Sequence, residues 1–324
     1  MNYLVTGGAG FIGSHLVERL LARGHRVICL DNFDDFYDPA LKRRNLSHAL
    51  KDPRFRLVEG DVRDESLLHR LFPEEKIEIV AHLAARAGVR PSIENPLLYA
   101  DVNIRGTLNL LEACKKYEVR RLVFASSSSV YGNNPKVPFA EEDPVDNPIS
   151  PYAATKKAGE LICHTYHHLY RMDIACLRYF TVYGPRQRPE MAIHQFTRRI
   201  HRGERITLFG DGSSRRDYTY IEDAVEGTIA ALGREHGYEI YNIGESHTTS
   251  LSQLVQWIEE QLKKKAKVEF LPAQPGDVEY TWADIRKAID GLGYRPGTDI
   301  REGLAFFIRW YLEEGCENWG RQER

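Results

Sequence analysis

The chain has 324 residues, 42% hydrophobic and 28% charged, which fits a soluble globule of two lobes sharing a large core and excludes disordered or fibrous classes. A formal net charge of −2 supplies no overall basic field for nucleic acid, and the local runs Lys42 to Arg44 and Lys263 to Lys265 read as solvated helix faces. Five scattered cysteines with neither a CxxC pair nor metal spacing, no run long enough to cross a bilayer, and a Met1 too close to Tyr3 for a signal peptide predict a cytoplasmic chain with reduced thiols, no metal and no membrane partner.

The first predicted element is the apolar run Tyr3 to Val5, followed directly by TGGAGFIG at residues 6 to 13. Glycines where a strand gives way to a helix suit a phosphate. Gly7 permits the tight turn, Gly10 lets backbone N–H groups approach a pyrophosphate, and Gly13 lets the helix from Ser14 to Arg23 pack close to its strand. The next run, RVICLD, ends at Asp31, eighteen residues beyond Gly13, where a carboxylate accepts hydrogen bonds from an adenosine ribose and repels a ribose phosphate. This order of strand, turn, helix, strand and acid predicts dinucleotide binding, with NAD favoured over NADP.

Further strand-like runs follow as FRLVEGD, IVAHLAA, RLVFASS and IACLRYF, separated by helical patterns such as Glu65 to Leu71 and Val102 to Tyr117. The alternation predicts an α/β fold with a Rossmann-type doubly wound parallel sheet, covered by helices on both faces. In such a sheet a ligand sits beyond the carboxyl ends of the strands, where Gly7, Asp31, Asp61, Ala84 and Ser127 fall. The fifth run ends in four consecutive hydroxyls, Ser126 to Ser129, which either a ligand or the backbone of a serine-rich turn must satisfy.

SPYAATKKAGE follows, with Ser150 as cap and Pro151 in the first turn of a helix that sets Tyr152 and Lys156 one turn apart on one face. A phenol of ordinary pKa about 10 acts as a base near neutrality only beside positive charge. Lys156 and an oxidised nicotinamide would supply it, so that lysine tunes and orients while Tyr152 moves the proton. Past Tyr183 the chain turns to GPRQRP, FGDGSSRRD and PAQPGD, turn-rich segments joined by short helices and strands. The predicted division is a dinucleotide-binding domain over 1–180, with a helical return around 218–242, and a smaller mixed α/β substrate domain over 181–324.

Together TGGAGFIG, HLAA, SSSSVYG and YAATK resemble the extended short-chain dehydrogenase/reductase family, within it the nucleotide-sugar epimerases, over residues 2 to about 312. NFDDFYDPALKRRNL and RYFTVYGPRQRPEMA resemble more narrowly the UDP-glucuronate 4-epimerases. The resemblance implies a bound NAD, a UDP-sugar substrate and Ser127, Tyr152 and Lys156 as the catalytic group. It implies Gly7, Gly10, Phe11, Ile12, Gly13, Asp31 and Asn32 around the pyrophosphate and adenosine ribose, and Asp61 with Val62 at the adenine. Leu83, Ala84, Ala85 and Asn103 would line the rest of the cofactor channel, with Lys156 on the nicotinamide ribose. In the second lobe Arg216 and Asp277 match positions that bind uridine diphosphate, whereas Gln274 departs from an arginine of the galactose epimerases.

Ser128 and Ser129 stand where related dehydratases carry an Asp–Glu pair and decarboxylases a Glu, so no carboxyl group is available there for elimination or decarboxylation. Thr181 replaces the Asn of galactose epimerases. The neutral hydroxyls of Ser127 to Ser129 and Thr181 suit a sugar carboxylate, to which each can donate a hydrogen bond. Arg86, Arg90 and Arg188 are further candidates for carboxylate or phosphate, with solvated loop arginine as the competing reading. The implied activity is inversion of carbon four of UDP-glucuronate, with UDP-glucose epimerisation or UDP-glucuronate decarboxylation as alternatives. The family also implies a homodimer paired through Leu97–Lys116 and Tyr152–Leu169, although burial of the same apolar stripes within one chain fits their periodicity too.

Overall fold

The computed structural model describes residues 1–235, 237–272, 278 and 280–314. Its strands are β1 (Asn2–Thr6), β2 (Arg26–Asp31), β3 (Phe55–Glu59), β4 (Ile79–His82), β5 (Arg121–Ser127), β6 (Asp173–Tyr179), β7 (Thr181–Tyr183), β8 (Arg205–Phe209), β9 (Arg215–Tyr220), β10 (Tyr238–Ile243), β11 (Thr248–Ser250) and β12 (Lys267–Leu271). Seven of them form one parallel sheet in the order β10-β6-β5-β4-β1-β2-β3, a Rossmann-type arrangement. The order runs outward in both directions from β1 and β4, so the connections leaving these two strands diverge and open a crevice at their carboxyl ends.

The apolar runs form strands because alternate side chains enter two separate cores. Leu4, Ile28, Val80, Leu122, Phe124 and Ile174 face one side, with helices Glu65–Glu75, Gly106–Lys116 and Pro151–Tyr170 over them. Tyr3, Val5, Val27, Ile79, Val123 and Leu177 face the other, beneath helices Phe11–Ala22 and Ile221–Leu232. β10 joins the sheet beside β6, and the Ile221–Leu232 helix packs against Phe11–Ala22. The remaining elements form a three-stranded sheet, β11-β9-β7, and a parallel pair, β12-β8, with helices Ala192–Arg202, Leu251–Leu262 and Ile300–Glu313 beside them.

Three boundaries differ from expectation. The first helix begins at Phe11 rather than Ser14, because the extended backbone of Gly10 makes it the N-cap. Tyr218 to Tyr220, expected in a helix, end β9 instead, since they pair in parallel with Thr181 to Tyr183. The helix expected over 102–117 opens as a π turn, Asp101–Arg105, before becoming α-helical at Gly106. No helix among the described residues is long and apolar enough to cross a membrane. Cys29, Cys114, Cys163 and Cys176 are free and buried, and Cys316 lies outside the described residues.

Candidate active site

A cavity of about 400 Å³ opens at the carboxyl ends of the central strands, and Gly7, Asp31, Asp61, Ala84 and Ser127 all line it. Its floor is the turn after β1. Gly7 has φ +69°, and a Cβ there would stand 2.8 Å from Ala84 N, so the turn after β1 and the end of β4 touch backbone to backbone. A Cβ on Gly13 would lie 2.2 Å from Gly7 O, which lets only glycine bring the Phe11–Ala22 helix this close. That helix starts without a side-chain cap, leaving its first amides for a ligand. Beneath it, buried His82 bridges Thr6 Oγ1 (2.7 Å) and Thr107 Oγ1 (3.0 Å), and burial lowers its pKa to about 3, so it is neutral.

Asp31, at the end of β2, accepts the Ala9 and Phe33 N–H groups at 3.0 and 2.9 Å, and burial raises its pKa. Burial also pushes Asp61 upward, but hydrogen bonds from Arg63 and Asn32 outweigh it and hold Asp61 at about 2. The segment after β2 folds over this end of the cavity. Asp34, Phe36, Tyr37 and Lys42 all join its wall, none of them expected. Lys42 corrects the reading of a solvated basic face: it is 7% exposed, donates to Asp34 O at 2.6 Å and lies 4.8 Å from the Tyr37 ring centre. Arg86 pairs with Asp34 and stacks on Phe36, whose ring centre is 5.0 Å from Arg86 Cζ and 5.9 Å from Arg188 Cζ.

At the opposite wall, Ser127 ends β5 and caps the Ser128–Tyr131 turn, its Oγ accepting the Ser129 N–H at 3.2 Å. The Pro151–Tyr170 helix opens as predicted, with Ser150 Oγ accepting the Ala153 N–H at 3.1 Å and Pro151 in the first turn. Tyr152 and Lys156 both line the cavity with Ser127, Ser128, Ser129, Thr181 and Arg188. Burial raises the Tyr152 phenol above its usual 10, while hydrogen bonding with Ser127 and the Arg188 charge act downward. Lys156 donates to Ala125 O at 2.7 Å, stands 6.0 Å from the Tyr152 ring centre and is lowered by burial to about 8. The charge of Arg188 thus acts to favour the Tyr152 phenolate, and Lys156 stands on the same face of the helix as Tyr152.

Phe11, Ile12, Gly10, Asn32, Val62, Leu83, Ala85 and Arg86 also line the cavity, as the sequence reading expects. Asn103 does not: it is 2% exposed and stands behind the wall, accepting Arg86 N–H at 2.8 Å and donating to Arg86 O and Thr155 Oγ1, both at 3.0 Å. It thus ties the loop after β4 to the helix of Tyr152. Arg90 also lies outside the wall, its guanidinium 4.7 Å from the Phe209 ring centre, and Arg216 Nη1 donates to Arg215 O at 2.9 Å. Asp277 and Gln274 lie outside the described residues. Among the described residues no group of three or more His, Cys, Asp or Glu side chains is placed to hold a metal ion.

The sequence profile of the NAD dependent epimerase/dehydratase family matches residues 3–244. A UDP-glucuronate 4-epimerase of Thermodesulfobacterium geofontis is 48% identical over 313 residues, covering 96% of each chain. Among solved structures, UDP-glucuronic acid 4-epimerase from Bacillus cereus, in complex with UDP-glucuronic acid and NAD, superposes with a TM-score of 0.92 at 39% identity, covering 97% of this chain and 100% of that one. The Thermus thermophilus UDP-glucose 4-epimerase in complex with NAD gives 0.87 at 37% identity, covering 96% and 99%.

Proposed function

The chain belongs to the NAD dependent epimerase/dehydratase family, and on that premise we propose that it inverts carbon four of UDP-glucuronate to give UDP-galacturonate. The observation that carries the reading is the row of neutral hydroxyls. Ser127, Ser128, Ser129 and Thr181 share one cavity with Tyr152 and Lys156, and no carboxyl group stands at the two positions before Val130.

The cradle fits NAD: its glycines leave room for a pyrophosphate against backbone amides, Asp31 lines the cavity where its carboxylate would meet the adenosine ribose, and Asn32, Asp61 and Val62 line it where they would hold the adenine. Leu83, Ala84 and Ala85 line the channel, and Lys156 would hold the nicotinamide ribose. When bound, NAD supplies the hydride acceptor and donor for carbon four of the sugar. Tyr152 would take the proton from the carbon-four hydroxyl in the first half of the reaction and return it to the same oxygen in the second. Ser127 polarises the same hydroxyl, and Arg188 favours the phenolate. We assign Arg86 and Arg90 to the carboxylate or phosphates of the substrate, and Arg216 and Asp277 to its uridine diphosphate. In this reading residues 1–180 with 218–242 serve the cofactor, and the rest of 181–324 the sugar nucleotide.

The intermediate is a β-keto acid, which loses carbon dioxide when its carboxyl bond aligns with the carbonyl π system. Hydrogen bonds from Ser128, Ser129 and Thr181 hold the carboxylate out of that alignment. Chromatography of the products from UDP-glucuronate, with UDP-glucose in parallel, tests both points. The parent protein is expected to give UDP-galacturonate, and Thr181→Ala additional UDP-pentose. Faster turnover of UDP-glucose would contradict the substrate, and Thr181→Ala without added UDP-pentose would contradict the carboxylate role.

A homodimer accompanies this reading. Its pairing segments would be Leu97–Lys116 and Tyr152–Leu169, on which Leu97, Leu161 and Leu169 are between 57% and 82% exposed. Sedimentation as a monomer at micromolar concentration would contradict it.

A further inference from the structure

Behind the hydroxyl row lies an ion pair that touches neither sugar nor cofactor in the proposed reaction. Glu160, eight residues beyond Tyr152 on the same helix, is 0% exposed, and Arg178 on β6 is 1% exposed. They meet side-on, Arg178 Nε donating to Glu160 Oε1 at 2.8 Å and Nη2 to Oε2 at 2.9 Å. Burial strips both charges of water, and apolar side chains of the same volume commonly serve core stability as well. The remaining bonds of the pair give it a more specific use. Ser126 Oγ donates to Glu160 Oε1 at 2.6 Å, and Arg178 Nη1 donates to Tyr131 OH at 2.9 Å. Tyr131 in turn donates to Asn242 Oδ1 at 2.7 Å, and Asn242 Nδ2 donates to Phe139 O and Asp284 O at 2.8 and 3.0 Å.

Ser126 and Tyr131 bracket the segment Ser127 to Val130, so one buried pair fastens both ends of the turn that carries the hydroxyls. Successive side chains of a strand point to opposite faces, so the Ser126 bond also fixes which face Ser127 presents. Lys157 Nζ, 3.7 Å from Glu160 Oε2, adds a second cation on the helix side, and Arg178 Nη1 reaches Glu141 O at 3.3 Å on the loop side.

We propose that Glu160 and Arg178, through Ser126 and Tyr131, are positioning residues that hold Ser127 in line with Tyr152 and hold Ser128 and Ser129 against the sugar carboxylate. The proposal rests on the epimerase reading above, and it adds that turnover and product fidelity depend on a network outside the cavity's reacting groups.

Ser126→Ala and Tyr131→Phe each cut one tether and leave the two charges paired, so both variants test the idea without stranding a buried charge. Measured on NAD-loaded protein, each is expected to lower kcat about 10- to 100-fold, with a smaller change in KM, as misplacement of a reacting group does. Each is also expected to release UDP-pentose from UDP-glucuronate. A lower melting temperature with kcat and products unchanged would mean the network serves only stability, and would overturn the proposal. If the parent protein proves to use a neutral UDP-hexose, the substrate reading fails separately, and the kcat of the same two variants on that sugar still decides the positioning role.

Discussion

Tyr152→Phe is expected to lower turnover about 10²- to 10⁴-fold, the range associated with loss of a general acid or base. Folding and cofactor retention are expected to persist. The substitution keeps the ring, which packs edge-on to Tyr99 with centroids 6.3 Å apart, and keeps the Lys156 bond to Ala125 O. Only the hydroxyl that Ser127 and Arg188 act upon is removed. The measurement is kcat by product chromatography beside the thermal midpoint of the same preparation. Turnover close to that of the parent would remove Tyr152 from the chemistry.

Gly13→Ala is expected to abolish cofactor retention and to cost about 1–3 kcal/mol of stability, the usual range for overpacking. The added Cβ would stand 2.2 Å from Gly7 O and 2.8 Å from Gly8 Cα, both backbone atoms that no rotamer change can move. The helix must therefore retreat from the turn, and its amides with it. Gly10→Ala provides the internal comparison. Its Cβ would meet Gly7 O at 3.2 Å, a contact that a shift of a few tenths of an ångström relieves, so the loss should be smaller. Cofactor content after gel filtration, read by absorbance, and the thermal midpoint check both substitutions. Gly13→Ala retaining NAD and parental stability would contradict the cradle geometry.

Much of the fold is legible in the sequence for one physical reason: strands covered on both faces are written as nearly continuous apolar runs, as β1, β2, β4, β5 and β6 are, whereas the edge strand β3 is only half-buried. Their order places five strand ends at one crevice before any side-chain position is known. Local chemistry is legible too, as in the Ser150 cap and Pro151 that start the helix of Tyr152. What the sequence conceals depends on folding back over distance. Lys42 sits in a basic run, yet the helix Pro39–Asn45 turns it inward to Asp34 O and Tyr37 of the loop after β2, and nothing in its neighbours marks it as buried. Asn103 is expected in the channel but bonds from behind to the loop that lines it. Tyr218 to Tyr220 lie beside a helical pattern, and only their pairing with β7 makes them a strand. The Glu160–Arg178 pair joins a helix to a strand, and a charged residue on each, read singly, suggests surface. The two arginines flanking Phe36 come from loops after β4 and β7, so their convergence appears only in three dimensions.

The most direct test of the central claim is the fate of the hydrogen on carbon four. With UDP-glucuronate deuterated at that carbon, the UDP-galacturonate formed is expected to keep the deuterium on carbon four, with none appearing in water, because a hydrogen that leaves and returns as hydride does not exchange with solvent. Product in which solvent hydrogen has replaced the label would contradict it.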